Sequence, residues 1–316
     1  MQLKKIILYL LISISVLLVF LTVLFGHRDK SVEDLIPEYG QPPSSFIEID
    51  GMNVHYRDEG IMEDTVPIVL IHGTGASLHT FNAWTEELSQ KKRVIRMDLP
   101  AFGLTGPFPD RDYTINHYSE FINDFLVALN IKYCIIGGNS LGGLIAWRYT
   151  ITHPEMVDKL ILIDAAGYPR NSTSVPLAFT VARIPVINKT LTFITPRSVI
   201  ESSVKNVYTN KNKVTDELVD RYFNLSLREG NRQALVDRMK LDIEVDQIKE
   251  IKNIYQPTLI IWGEKDELIT IESAYRFYDD LPNDTLVIIE NAGHVPMEEQ
   301  PEESLKSVKA FLGLRD

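Results

Sequence analysis

One serine stands among four glycines in Ile-Ile-Gly-Gly-Asn-Ser-Leu-Gly-Gly, residues 135–143. Three chemistries compete for such a loop. A phosphate cradle needs Gly-x-x-x-x-Gly-Lys-Ser/Thr, and neither the lysine nor a second hydroxyl is present. A dinucleotide turn needs Gly-x-Gly-x-x-Gly, which this order does not supply. Gly-x-Ser-x-Gly fits, as Gly138-Asn139-Ser140-Leu141-Gly142 between a strand-like run and a helix-like one. In that setting a sharp turn presents the serine Oγ, and side chains two residues to either side would clash. A helix opening at Leu141 aims free N–H groups and its positive dipole end at the same spot, which favours an anion forming there. The plain alternative is a serine capping a helix after a glycine turn. The partners decide between the two.

A nucleophilic serine needs a base, and the base needs a carboxylate to orient it. For a serine on a strand-to-helix elbow, the acid and then the histidine follow it along the chain. Two histidines lie downstream of Ser140. His153, in Thr-His-Pro-Glu at the end of the next helix, suits a surface or helix-dipole role. His294, in Asn-Ala-Gly-His-Val-Pro after the final strand-like run, sits where sites of parallel sheets are built and is the expected base. Trp262-Gly263-Glu264-Lys265-Asp266 follows a strand directly, so Asp266 is the expected acid, with Asp164 at another strand end as runner-up. Glu264 reads as a solvated turn residue.

A tetrahedral intermediate also needs two N–H donors for its oxyanion. Leu141, next to the nucleophile, supplies one. The other is expected from Thr74 in His72-Gly73-Thr74-Gly75, where glycines let the backbone approach a substrate. His72 is read as hydrogen-bonding within this loop, and Asp98 as a carboxylate that fixes its own loop. This chemistry calls for no cofactor and no metal.

The elements that must position these groups alternate from residue 45 onward. Strands are expected over 45–50 and 52–57 (a hairpin about Asp50-Gly51), 67–71, 93–97, 133–137, 160–164, 258–262 and 285–290. Helices are expected over 79–89, 116–129 and 141–152, with a last one after Pro301. Thr114 could cap the second of these. Repeated strand–helix units imply a mostly parallel sheet covered on both faces. From 165 to 254 the alternation stops, and helix-like segments around Pro176, Pro185 and Pro196 read as a cap inserted after the sixth strand. The core is thus expected over 45–164 and 255–316.

Before the core, residues 6–25 are apolar apart from Ser13, Ser15 and Thr22, and carry no charge. A helix of about 20 such residues can cross a bilayer. A cleaved signal peptide competes, but its apolar core is usually about 7–15 residues and ends at a small-residue site, whereas this run ends Leu-Phe-Gly-His-Arg-Asp-Lys. An uncleaved single-pass anchor over 6–25 is therefore expected, with 1–5 on the cytoplasmic side and 26–44 as a polar, proline-containing linker. Lys4 and Lys5 face Arg28 and Lys30 across the span, a slight bias toward an extracytoplasmic domain.

Bulk composition narrows the partners. A net charge of −11 and a pI near 5.2 argue against nucleic acid, which needs basic patches. Cys134, the single cysteine, lies in an apolar run and reads as a buried small hydrophobe.

With these residues in hand, the chain resembles the α/β-hydrolases from about residue 45 to 314. His-Gly-Thr-Gly, Asp-Leu-Pro-x-Phe-Gly, Gly-Asn-Ser-Leu-Gly-Gly, Gly-x-x-Asp and Gly-His-x-Pro occur in that family's order. The resemblance implies a serine hydrolase with Ser140, Asp266 and His294 as its triad. Within the superfamily the chain is similar to membrane-anchored bacterial lipases and carboxylesterases and to monoacylglycerol lipases. Ala101 stands where many relatives carry glycine, with a small effect expected. Haloalkane dehalogenases and most epoxide hydrolases carry aspartate at the position of Ser140. The carbon–carbon hydrolases of aromatic degradation share the elbow but typically carry tryptophan where this chain has Val295, and rank second. Cofactor-free haloperoxidases share the triad.

The expected reaction is cleavage of lipophilic carboxylic esters or acylglycerols, because the apolar cap stretches 175–187 and 191–194 can line an acyl pocket as well as pack the cap. The different-class alternative is a membrane-tethered binding module, which would usually lack a triad residue.

Overall fold

The computed structural model describes residues 2–169, 171–185, 187–241 and 245–314, without the side chains of residues 3, 11, 14, 15, 17–19, 21, 191, 245 and 246. Val186 and the Leu191 side chain, part of the apolar cap stretches, lie outside the described residues, as do residues 1 and 315–316 of the end segments.

Among the described residues eight strands form one sheet: β1 Ser44–Ile49, β2 Met52–Gly60, β3 Ile68–Ile71, β4 Arg93–Met97, β5 Cys134–Asn139, β6 Val157–Ile163, β7 Thr258–Gly263 and β8 Asp284–Ile289. Their order is β1-β2-β4-β3-β5-β6-β7-β8. The pairs β1/β2 and β2/β4 are antiparallel, and every pairing from β4/β3 to β7/β8 is parallel. Strands apolar throughout need cover on both faces, and the side chains divide accordingly. Val69, Ile71, Leu160 and Leu162 join one core cluster, while Ile68, Leu70, Ile161 and Ile163 join the other.

The helices are α1 Gln2–Phe25, α2 Val32–Tyr39, α3 Asn82–Leu88, α4 Ile115–Ala128, α5 Leu141–Thr152, α6 Leu177–Arg183, α7 Arg197–Val207, α8 Asp216–Ser226, α9 Asn231–Met239, α10 Val245–Ile248, α11 Glu272–Asp280, α12 Pro296–Glu299 and α13 Pro301–Leu312. Helices α4 and α5 feed Phe121, Phe125, Leu144 and Trp147 into the first cluster. Trp84 of α3 and Leu305 and Val308 of α13 feed the second. Thr114 caps α4, its Oγ1 accepting from His117 N at 3.4 Å. Helices α6 to α10 fill the interval between β6 and β7.

The segment 26–44 is a folded part of the domain, which corrects the expectation of a linker. Ser31 starts α2 with a capping box, its Oγ accepting from Asp34 N while the Asp34 carboxylate accepts from Ser31 N, each at 3.2 Å. One turn apart, Leu35 and Tyr39 are buried and pack with Leu225 of α8. The proline spacing that suggested a linker is absorbed by Pro37 within α2 and by a cis Pro42–Pro43 bond just before β1.

The described side chains of α1 are exposed. Among the described residues no helix is long and apolar enough to cross a membrane.

Candidate active site

The site forms at the carboxyl ends of the parallel strands. The chain leaves β5 at Asn139 and enters α5 at Leu141, leaving one residue to turn it. Ser140 takes φ 55° and ψ −114°, a left-handed strain for a residue with a Cβ. A Cβ at Gly138 would lie 2.2 Å from the Gly142 carbonyl carbon, and one at Gly142 would lie 2.1 Å from the Ile71 carbonyl oxygen. Glycine is required at both because the chain passes so close to itself. Ser140 is secured by its N–H to Ile163 O at 3.0 Å and by its carbonyl, which accepts from Ala166 N at 3.0 Å.

Asp266 lies just beyond β7 and His294 beyond β8. The Asp266 Oδ2 is 2.7 Å from His294 Nδ1, and both residues are buried. The other carboxylate oxygen accepts from the N–H groups of Leu268 at 2.8 Å and Ile269 at 3.0 Å, which fixes the carboxylate plane. With Nδ1 engaged, Nε2 is the nitrogen available for proton transfer. Ser140 and His294 line one cavity of about 720 Å³, otherwise walled mainly by apolar residues such as Phe179, Ile200, Val204, Val207 and Leu268.

Three anchors hold the histidine loop. His294 N donates to Val207 O of α7 at 2.9 Å, and Gly293 N donates to Glu299 Oε2 at 2.7 Å. The His294 carbonyl accepts from Asn139 Nδ2 at 3.0 Å. The Glu299 carboxylate also accepts from Thr209 N at 3.1 Å and Asn210 N at 2.6 Å, joining this loop to the end of α7. Beside it, Glu298 pairs with Arg221 and accepts from the Tyr222 hydroxyl at 3.0 Å and the Tyr208 hydroxyl at 3.1 Å. Glu298, Glu299 and Arg221 had no assigned role in the sequence reading. The only local signal was an acidic pair shortly after the histidine.

Asp164 is fully buried just past β6, with φ 44°. Its Oδ1 accepts from Gly263 N at 2.9 Å, whereas Oδ2 has no hydrogen-bond partner among the described residues. Donor atoms of Asp164, Asp266 and His294 lie within 4.8 Å of one another. Such a group could hold a metal ion, but the Asp266–His294 hydrogen bond already occupies one atom of each. Burial and then the neighbouring Asp266 charge push the Asp164 carboxyl well above the usual carboxylate range. Protonated, its bare Oδ2 becomes a donor, and Asp266 is the acceptor beside it.

Thr74 stands between Gly73 and Gly75 after β3, and Leu141 opens α5, so the Leu141 N–H has no intrahelical acceptor. Both residues border Ser140 in a second, smaller cavity of about 340 Å³, which Arg183 and Arg238 also line.

The remaining candidates are structural. His72 Nδ1 donates to Gly73 O at 2.8 Å, and Nε2 accepts from Leu99 N at 2.9 Å, which joins the loops after β3 and β4. Burial pushes its pKa down, in keeping with a neutral ring. Asp98 accepts from Leu78 N and Leu104 N and meets His55 Nδ1 at 2.7 Å. Burial raises its pKa, but His55 and the other neighbouring histidines outweigh this and hold it below the ordinary range. His153 stacks on Tyr149 at the far end of α5. Cys134 is buried, its thiol pushed up to about 12 by burial. Glu264 is exposed and accepts from Asn291 N at the β8 turn.

Comparison with known proteins places these features in context. A family model described as alpha/beta hydrolase fold matches residues 66–301. The 2-hydroxy-6-oxo-6-(2'-aminophenyl)hexa-2,4-dienoic acid hydrolase of Metapseudomonas resinovorans is 29% identical over 85% of this chain and 91% of its own length. Lipase 1 of Psychrobacter immobilis is 27% identical over 78% of this chain and 76% of its own. Among solved structures, a bacterial membrane phospholipase A superposes with a TM-score of 0.69 at 25% identity, covering 98% of this chain and 97% of that one.

Proposed function

The chain belongs to the α/β-hydrolase fold family, and from that premise we propose that it is a serine hydrolase of lipophilic carboxylic esters, a carboxylesterase or lipase. The observation that carries this reading is the apolar cavity of about 720 Å³ that holds both Ser140 and His294, with Asp266 on the far side of the imidazole.

In this reading the Ser140 Oγ attacks the ester carbonyl carbon while His294 Nε2 takes its proton. The N–H groups of Thr74 and Leu141 stabilise the oxyanion. As the acyl–oxygen bond breaks, His294 returns the proton to the leaving alkoxide. Water then repeats the sequence on the acyl-enzyme and releases the acid. Asp266 holds the imidazole tautomer and balances its charge.

A second reading rests on Arg183 and Arg238 lining the small cavity beside Ser140 and on the similarity to a dienoic acid hydrolase. A carboxylate-bearing carbon–carbon substrate of the meta-cleavage type would place its charge there. Two assays separate the readings: a p-nitrophenyl ester series from acetate to palmitate, and loss of dienoate absorbance. Turnover of the dienoate with none of the esters would reverse the order. A fluorophosphonate that labels the wild type and not Ser140→Ala supports either enzyme; no labelling would instead favour a non-catalytic binding module.

We also propose that residues 6–25 anchor the protein in a membrane as a single span, with the catalytic domain on the extracytoplasmic face. Support comes from the exposed apolar side chains of α1, among them Ile6, Tyr9, Val16, Phe20 and Val23. Mass spectrometry of the membrane-extracted protein tests this. A mature amino terminus near residues 27–31 would exclude the anchor.

A further inference from the structure

The cavity at Ser140 continues beyond the catalytic groups. Gly75, Ala76, Ala178, Ile200, Ser226 and Leu235 line it and also line a second chamber of about 570 Å³. That chamber extends to Val199, Leu225, Thr195 and Arg232. Arg232 is its single charged lining residue among those described, and it is only 7% exposed.

The guanidinium of Arg232 is turned toward the foot of α1. Its Nη2 donates to Asp29 Oδ1 at 2.6 Å and to His27 O at 2.9 Å, and its Nη1 donates to Thr195 Oγ1 at 3.3 Å. The same short segment is bonded to the cap through its backbone. His27 N donates to Phe193 O at 3.3 Å, Thr195 N to Phe25 O at 3.2 Å, Lys30 N to Leu227 O at 2.8 Å and Glu229 N to Lys30 O at 2.9 Å. Residues 25–30 thus form a strap behind the end wall of the chamber.

We propose that the two chambers form one acyl site. The ester carbonyl sits at Ser140, the distal carbons of a long acyl chain enter the second chamber, and Arg232, held by Asp29, sets the longest chain accepted. This rests on the esterase reading above and specifies its substrate class. Hydrocarbon suits the chamber because the one charged side chain among the described lining residues directs its hydrogen bonds to the strap and to Thr195. An anionic headgroup would be desolvated there without a cationic partner.

The test uses the full chain in detergent and the ratio of kcat/KM for p-nitrophenyl palmitate to that for the butyrate. Val199→Trp fills the chamber, and the ratio should fall about tenfold or more, as loss of apolar subsite contacts does. Asp29→Asn removes the charge that holds the wall, and the ratio should rise by about threefold. An unchanged ratio in Val199→Trp overturns the chamber, and an unchanged ratio in Asp29→Asn overturns the wall. Thermal unfolding checks that each variant is folded, and Leu225→Phe replaces Val199→Trp if that variant does not fold. If the wild type hydrolyses no ester, the esterase reading fails separately. Displacement of a fluorescent long-chain fatty acid then still reads the chamber, with binding weakened in Val199→Trp expected and unaltered binding overturning it.

Discussion

Asn139, the residue before Ser140, donates its side-chain amide to the carbonyl of His294 at 3.0 Å and to that of Ile163 at 3.1 Å. One buried amide therefore ties the elbow to the histidine loop, 155 residues further along the chain. The expected role of Asn139 is to keep His294 at a fixed distance from Ser140. Asn139→Asp would set a carboxylate oxygen against two carbonyl oxygens, costing about 2–4 kcal/mol of stability. Removal of the amide in Asn139→Ala should lower kcat about tenfold or more with little change in KM, because positioning acts on the transition state. Steady-state kinetics check this. A change confined to KM would place Asn139 in substrate binding instead.

Asp164 and Asp266 are both buried within reach of His294, and Asp266 is bonded to it. Asp266→Asn replaces the acceptor for His294 Nδ1 and should lower kcat about 10⁴-fold. Asp164→Asn keeps an acceptor for Gly263 N and a donor toward Asp266, so kcat should stay within about tenfold. The reverse order would reassign the acid to Asp164.

The Asp164 pair also carries a pH signature. Its folded-state pKa is raised, so its contribution to stability is full below the unfolded carboxylate range and is lost as pH rises toward the raised folded value. Asp164→Asn cannot ionise. Its stability relative to wild type should therefore improve steadily as pH rises through that window, measured by urea unfolding at a series of pH values. A parallel pH dependence for the two proteins would remove the raised carboxyl.

What the amino-acid sequence disclosed follows from the range of the interactions involved. Ser140, Asp266, His294 and Thr74 each follow a strand whose apolar run is continuous, and the glycines at 138 and 142 are demanded by contacts within a few residues or with the adjacent strand. Such features leave a local pattern. The folding of 26–44 onto the cap does not, because its anchors are partners such as Arg232 and Asn224, 203 and 194 residues away. Glu299 was equally silent, since its three N–H donors come from two separate loops. Strand ends shifted by a few residues where backbone pairing, rather than side-chain polarity, decides them. β6 begins at Val157 although Asp158 and Lys159 interrupt its apolar pattern.

Glu299 is 1% exposed, and its two oxygens accept from three backbone N–H groups. Either orientation of the amide in Glu299→Gln sets an NH₂ group against at least one of these donors. The expected cost is about 2–4 kcal/mol, the penalty for leaving buried polar groups unpaired. Because one of the donors is Gly293, the histidine loop should loosen and kcat should fall about 10–100-fold. Chemical unfolding and kinetics on the same preparation check both. Loss of stability with kcat unaltered would confine Glu299 to holding the cap.

Ala101 occupies φ 86° in the turn after β4, a conformation that residues with a Cβ rarely adopt. Its N–H is spent on Gly106 O at 2.6 Å, so the turn cannot relax without losing that bond. A left-handed residue with a side chain costs about 1–2 kcal/mol. Glycine would relieve this strain but would lose about 0.5–1 kcal/mol through greater freedom of the unfolded chain. The net expectation for Ala101→Gly is a gain of about 0.5–1 kcal/mol, seen as a rise in Tm of about 1–3 °C. Ala101→Val, which adds β-branching at the same φ, should destabilise by about 2 kcal/mol or more. Differential scanning calorimetry of the three proteins orders them. If Ala101→Gly were the least stable, packing of the buried methyl would outweigh the backbone strain.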